Sequence, residues 1–158
     1  QPKRKAFCDI SKPEVATPPA FEALPGAYKI LASTHEGTDI AKKFNELGIH
    51  ALVLYYRIPD STRQVDRKIA PLQDAQQAIR VARQSAKLWN VDSTKIGVMG
   101  FSAGGHLALM GGLLGNDTKF DGNCPGVKDV KVAAIIDKYG ITHIGGWKSR
   151  LCSNSRSI

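Results

Sequence analysis

Cysteine is scarce: Cys8, Cys124 and Cys152 are the only three in 158 residues. None stands in C-x-x-C spacing and none has a histidine at ligand spacing, so no zinc or other metal site is expected. The odd count excludes a fully paired disulfide framework, although one bridge remains compatible with it. Acidic residues are also in the minority, 14 against 22 basic ones, for a net charge of +8. The basic residues cluster near both ends without aromatic–basic interleaving or a nucleic-acid motif, so solvated charge is expected and nucleic acid is not. No apolar run approaches the ~20 residues of a membrane span, and no signal-peptide pattern is seen, so no membrane partner is expected. No cofactor motif is present either. The first residue is Gln1 rather than Met, which leads us to expect a processed chain or a fragment.

What is present is an ordinary globular balance, 42% hydrophobic and 23% charged, in a chain long enough to bury one core. One stretch organises it, Lys95-Ile-Gly-Val-Met-Gly-Phe-Ser-Ala-Gly-Gly-His-Leu-Ala-Leu-Met-Gly111. It reads as a buried strand over 95–99, a tight turn, and a helix over about 103–114. Gly100, Ser102 and Gly104 fit G-x-S-x-G, the nucleophile elbow. A serine at the apex of a strained strand-to-helix turn needs neighbours without bulk. The helix start behind it offers free N–H groups to an anion, and the Ala103 N–H is placed to stabilise a tetrahedral oxyanion. The competing reading is a glycine-rich turn with Ser102 as a helix cap.

In chain order, residues 1–24 read as an irregular segment interrupted by Pro13, Pro18 and Pro19, with at most a short strand over 20–24. A Pro-Gly-Ala-Tyr turn follows at 25–28. Ser33 and Glu36 have capping-box spacing, and Ile40, Ala41, Phe44 and Leu47 recur at helical spacing before Gly48, predicting a helix over 35–47. Ala51-Leu-Val-Leu-Tyr-Tyr56 reads as a strand buried on both faces. Pro71 suits the first turn of a second helix. Its apolar face is Leu72, Ala75, Ile79, Ala82, Ala86 and Trp89, with Gln76, Arg80, Arg83 and Lys87 expected outside. Residues 115–128 read as a loop, 130–136 as a strand, and 145–158 as a polar tail without periodicity. Helices alternating with buried strands predict an α/β fold, a mainly parallel sheet with helices on both faces in a single partial domain over 1–158. Ligands on such sheets bind beyond the C-terminal strand ends. Ser102, the loop after Tyr56, the turn at Gly26 and the stretch after Asp137 would converge there.

Thr34-His-Glu-Gly-Thr-Asp-Ile-Ala41, Leu54-Tyr-Tyr-Arg-Ile-Pro59, Ala70-Pro-Leu-Gln-Asp-Ala75 and Gly97-Val-Met-Gly-Phe-Ser-Ala-Gly-Gly-His-Leu-Ala108 together resemble the α/β-hydrolase superfamily. More narrowly they resemble its bacterial esterase/lipase branch that includes acetyl xylan and feruloyl esterases. The resemblance implies hydrolysis of carboxylic esters, such as acetyl or feruloyl groups on plant polysaccharide, so a small ester or acylated carbohydrate is the expected substrate. It implies Ser102 as nucleophile and Ala103 as first oxyanion donor. The second donor falls to Gly26 or Ala27, where the family has a longer, glycine-richer turn. Because such esterases are often exported, and Gln1 suits a mature chain, it points to a secreted or periplasmic location.

The resemblance also implies an acid and a histidine on later strands, beyond the 56 residues that follow Ser102, so the core is expected to be incomplete at the C-terminus. A substitute would have to come from the four histidines present. His106, four residues after Ser102 on one helix, is expected in a structural hydrogen bond beside the elbow. His35 reads as helix-start polarity and His50 as a surface turn residue. His143, following a strand on the active-site edge, is the candidate improvised base. Asp74 and Asp137 are expected to be structural and Asp121 a turn residue. Two outcomes follow: a serine esterase, or a weak or inactive remnant acting as a binding module. Strands missing from one side would leave an open edge, and self-association through it is expected.

Overall fold

The computed structural model describes residues 7–10, 19–32, 34–60, 64, 66, 68–115, 117 and 129–142. Through them the chain runs β1 (Phe7–Ile10), β2 (Pro19–Ala23), a widened helical turn (Thr34–Thr38), α1 (Asp39–Glu46), β3 (His50–Tyr55), α2 (Ala70–Trp89), β4 (Gly97–Phe101), α3 (Ala103–Leu113) and β5 (Ala134–Lys138). The strands form one sheet in the order β1-β3-β2-β4-β5. β3, β2, β4 and β5 are parallel, and only β1 is antiparallel, pairing Phe7 with Tyr55 and Ile10 with Leu52. Residues 7–10, read as loop from the sequence, thus cover the β3 edge that would otherwise present unpaired backbone groups.

The two sheet faces are built from alternate residues. Val53 and Leu24 press on Gly37 in the turn leading to α1. Ala23, Leu54 and Val98 face the other way, against Ala75 and Ile79 of α2 and Leu107 and Ala108 of α3. α3 has apolar residues all round, and its buried side is Ala103, Gly104, Gly105, Leu107, Ala108 and Gly111. Glycines in a helix interior cost up to about 1 kcal/mol each, so packing must offset poor intrinsic propensity here. α2 starts with Pro71 in its first turn, where the missing N–H is not needed, and ends at Asn90 in the left-handed conformation. The Val91 N–H closes that end on the Ala86 carbonyl at 2.9 Å.

Several local expectations shift. The helix expected over 35–47 starts regular winding only at Asp39, because Glu36 departs from helical geometry while Gly37 packs on Leu24. Ser33 of the capping box lies outside the described residues. Gln76 and Arg80, expected on the outer face of α2, are buried at 0% and 1% exposure. α3 lies over that face: the Gln76 amide donates to the carbonyls of Leu114 and Gly115 at 3.4 and 3.5 Å, satisfying acceptors at the helix end. Arg83 donates to the carbonyls of Ser93 and Lys131. His50 is no surface residue but the buried first residue of β3, and burial lowers its pKa. The last strand begins at Ala134 rather than Val130, since pairing can start only where β4 starts, Gly97 opposite Ala134. Val130 instead plugs the core, and Ala133 N–H reaches Ile96 O at 2.7 Å.

Strand order positions the site. From β2 the chain passes through α1 to β3 on one side, whereas β4 lies on the other side of β2 and leads through α3 to β5. The connections leaving β2 and β4 therefore part at their C-terminal ends, which opens a crevice between them.

Candidate active site

Ser102 stands at that crevice, between Phe101 at the end of β4 and Ala103 at the start of α3. Its backbone is at φ 52°, ψ −116°, a region L-residues rarely occupy and one that costs on the order of 1–3 kcal/mol. The surroundings hold it there. A β-carbon on Gly100 would strike the Gly104 backbone, and one on Gly104 would strike the Ala23 carbonyl, so only glycine lets strand, turn and helix come this close. The Ser102 N–H donates to Lys138 O at 3.0 Å and its carbonyl accepts the His106 N–H at 3.1 Å, tying the elbow to β5 and to its own helix. Ala103, in the first turn of α3, has an N–H with no intrahelical acceptor.

The turn after β2 forms the opposite wall. Gly26, Ala27 and Tyr28 follow one another at φ 137°, 53° and 59°, so the chain coils left-handed through three residues, two of which carry side chains. The Gly26 carbonyl accepts the N–H groups of Lys29 and Ile30 at 2.9 and 3.1 Å, and Pro25 O accepts from Ala32 at 3.0 Å. Gly26 and Ala27 stand just past the β2 end that Gly104 abuts, so the turn and the elbow share one edge.

A side-chain bond joins the two walls: Tyr28 Oη and His106 Nδ1 are 2.8 Å apart. The Tyr28 ring also meets His106 edge-on and Tyr56 at a tilt, with centroids 6.0 and 5.8 Å away, and Tyr56 donates to Leu24 O at 2.8 Å. Burial raises the pKa of both tyrosines and lowers that of His106, against the opposing pull of Asp137, so the pair is held neutral. His106 thus makes the structural hydrogen bond expected of it. Its partner had no signal in the sequence, because Tyr28 is 78 residues away.

The other candidates divide. Asp74 receives the Arg57 backbone N–H at 2.7 Å and its guanidinium at 2.8 Å, pinning the start of the loop after β3 to α2. Asp137 accepts the Gly140 N–H at 2.8 Å. Both roles are structural. His35 is exposed and 3.5 Å from Asp39, and His50 begins β3, at the sheet edge opposite Ser102. His143 and Asp121 lie outside the described residues. Among the described residues no three His, Cys, Asp or Glu side chains gather to hold a metal ion, and no helix is long and apolar enough to cross a membrane.

The BD-FAE family profile matches residues 31–157. The chain belongs to the BD-FAE family. An acetylxylan esterase of Xylanibacter ruminicola is 40% identical over 97 residues, which are 61% of this chain and 19% of the relative. An acetyl ester-xyloside bifunctional hydrolase of Caldicellulosiruptor lactoaceticus superposes with a TM-score of 0.59 at 35% identity, over 68% of this chain and 39% of that one. A sugar hydrolase of Lactococcus lactis aligns with all of this chain and 59% of its own, with a TM-score of 0.72 at 22% identity, a likeness of fold. This BD-FAE chain therefore spans about a fifth of that acetylxylan esterase and less than two thirds of each of those two structures. The α/β-hydrolase fold expected from the motifs is the observed one.

Proposed function

We propose that this chain carries the nucleophile and oxyanion site of a serine carboxylic-ester hydrolase acting on small esters or acetylated sugars. The observation that carries the reading is the backbone of Ser102, strained at φ 52° between a strand and a helix start. Nothing in the packing of the core needs a serine hydroxyl raised on such a turn. Ser102 Oγ attacks the ester carbonyl, and the oxygen that gathers charge is met by the Ala103 N–H and by an N–H of the Gly26–Ala27 turn. Preorganised donors of this kind contribute about 10²–10³ each in rate. The family relatives named for acetyl esters support the same substrate class.

The attacking hydroxyl must lose its proton. Of the histidines within the described residues, His35 is in solvent, His50 is at the far edge and His106 is bonded to Tyr28. His143, five residues beyond β5 in sequence, is the base this reading assigns. The same three placements favour a second reading, in which the chain binds esters but turns them over weakly. An oxyanion site without its base retains roughly 10³–10⁴ over water.

Intact-mass analysis after treatment with a fluorophosphonate, beside p-nitrophenyl acetate turnover, decides between them. One adduct that disappears in Ser102→Ala is the expected result. No adduct and no turnover would leave binding alone. The reading also includes self-association. Ile136 is 46% exposed, Leu113 is 73% exposed, and β5 has no strand beyond it among the described residues. Light scattering at rising concentration is expected to show a dimer or larger species, and a concentration-independent monomer would exclude it.

A further inference from the structure

Past the last strand the chain makes a second strained turn, which the attack on the carbonyl does not use. Tyr139, the residue after β5, has φ 46°, a left-handed conformation uncommon for a side chain of its size, and is 61% exposed. Two contacts hold it. Its hydroxyl donates to Glu36 Oε1, 103 residues earlier in the widened turn Thr34–Thr38. Its ring meets that of Phe101 at a tilt, with centroids 5.8 Å apart. Strand order gives the bond its direction. β2 and β5 flank β4, Gly37 beside Glu36 packs on Leu24 just past β2, and Tyr139 stands just past β5. The Glu36–Tyr139 bond therefore crosses the C-terminal end of β4 from one neighbour to the other. Phe101, the residue before Ser102, lies buried at that end.

We propose that Tyr139 and Glu36 are positioning residues for Ser102, a clasp that holds the elbow in its strained conformation. The inference rests on the serine-hydrolase reading and adds to it the groups that keep the nucleophile in place. Three observations carry it. First, the carbonyl that accepts the Ser102 N–H at 3.0 Å is that of Lys138, and it shares one rigid peptide plane with the Tyr139 nitrogen. Turning Tyr139 turns that acceptor. Second, the same turn lies against the start of α3. A β-carbon on Gly140 would strike Asp137 and stand 2.8 Å from the His106 nitrogen, and Asp137 accepts the Gly140 N–H at 2.8 Å. Third, the bond does not serve the core. Both partners lie outside it, where water would satisfy either group if the bond were absent. Two strained backbones, at Ser102 and Tyr139, are thus joined through one hydrogen-bonded peptide, and such strain persists only where its surroundings over-determine it.

The test is amide hydrogen exchange in the full chain, read at Ser102 and, as control, at Val91, whose N–H closes the far end of α2 on Ala86. Tyr139→Phe keeps the ring on Phe101 and removes only the hydroxyl. It is expected to speed exchange at Ser102 about tenfold, as for the loss of one hydrogen bond to a carboxylate, and to leave Val91 at its parental rate. Glu36→Ala is expected to do the same, and the two together no more than either alone. Glu36→Gln, which keeps an acceptor oxygen, is expected to recover most of the protection. Fluorophosphonate labelling of Ser102 is expected to slow in the same order. Unchanged exchange at Ser102 overturns the clasp, and so does a rise that Val91 shares, which would mark a loss of global stability only. Additive effects of the two substitutions, or labelling at the parental rate in Tyr139→Phe, overturn it as well. The two claims separate. A parent that takes no label while Ser102 exchange answers to Tyr139→Phe refutes the hydrolase reading alone. A labelled parent whose exchange and labelling ignore both substitutions refutes the clasp alone.

Discussion

Gly104→Ala is expected to lower stability by about 3 kcal/mol or more and to abolish any reaction of Ser102. A β-carbon there would stand 2.7 Å from the Ala23 carbonyl carbon and 2.9 Å from the Leu24 carbonyl oxygen, and closer still to the Ala23 oxygen. These are backbone atoms at the end of the central strand, paired on both sides with β3 and β4. No flexible side chain can swing away. Either α3 lifts from the sheet or β2 leaves its register, and overpacking of that kind costs 1–3 kcal/mol even where side chains can adjust. In a chain of this length the loss corresponds to a fall of about 10 °C in Tm. Gly111→Ala is the control on the same helix. Its β-carbon would meet the Ala75 β-carbon at 3.6 Å, an ordinary contact, and alanine favours helix by up to 1 kcal/mol over glycine. That variant is expected to melt at or above the parent temperature. Equal melting of the two would mean that the elbow glycines serve the turn's conformation alone and not the approach of α3 to β2.

The contrast explains what was legible in advance. Local patterns specify the elbow well, because strand, turn and helix are contiguous and each rule acts within a few residues. The start of α2 was legible for the same reason, from Pro71 in its first turn. Burial on the outer side of α2 was not. Gln76 looks solvated until the end of α3, 38 residues later, accepts its amide, and Arg80 beside it is buried as fully. β1 was hidden because a four-residue strand between prolines and basic residues has no periodicity to read, and its existence depends on the free edge of β3. The Tyr28–His106 bond belongs to the same class of feature, fixed by sheet order and by no spacing in the chain. At the site, contiguous spacing marks the residues of the turn, whereas the tie from Tyr28 to the helix has no such mark.

Glu22 gives the sharpest consequence of such long-range placement. It sits in β2, opposite Val53 and Met99, with 1% of its surface exposed, and neither carboxylate oxygen has a hydrogen-bond partner among the described residues. Burial first, and the charge of Glu36 second, raise its pKa from 4.5 to about 8. Glu36 is held by the Tyr139 hydroxyl, so this second charge is anchored near the first. In the unfolded chain Glu22 ionises near 4.5, and in the folded chain it keeps its proton to about pH 8. The folded state therefore binds the extra proton, and stability falls as pH rises between these values. The contribution is fully present below pH 4.5 and is lost by the time pH passes 8. A shift of this size is worth roughly 4–5 kcal/mol, a large share of the 5–15 kcal/mol that holds a domain together. Glu22→Leu, close in volume, is expected to remove the slope. In urea unfolding at pH 5, 7 and 9 the variant should exceed the parent by a margin that widens by several kcal/mol from the first pH to the last. Parallel profiles would mean that Glu22 meets a cation or water when ionised, and the α1 face of the sheet would then be wetter than its packing indicates. A margin that widens as expected makes acidic buffer, rather than neutral, the condition in which the elbow is best supported from below.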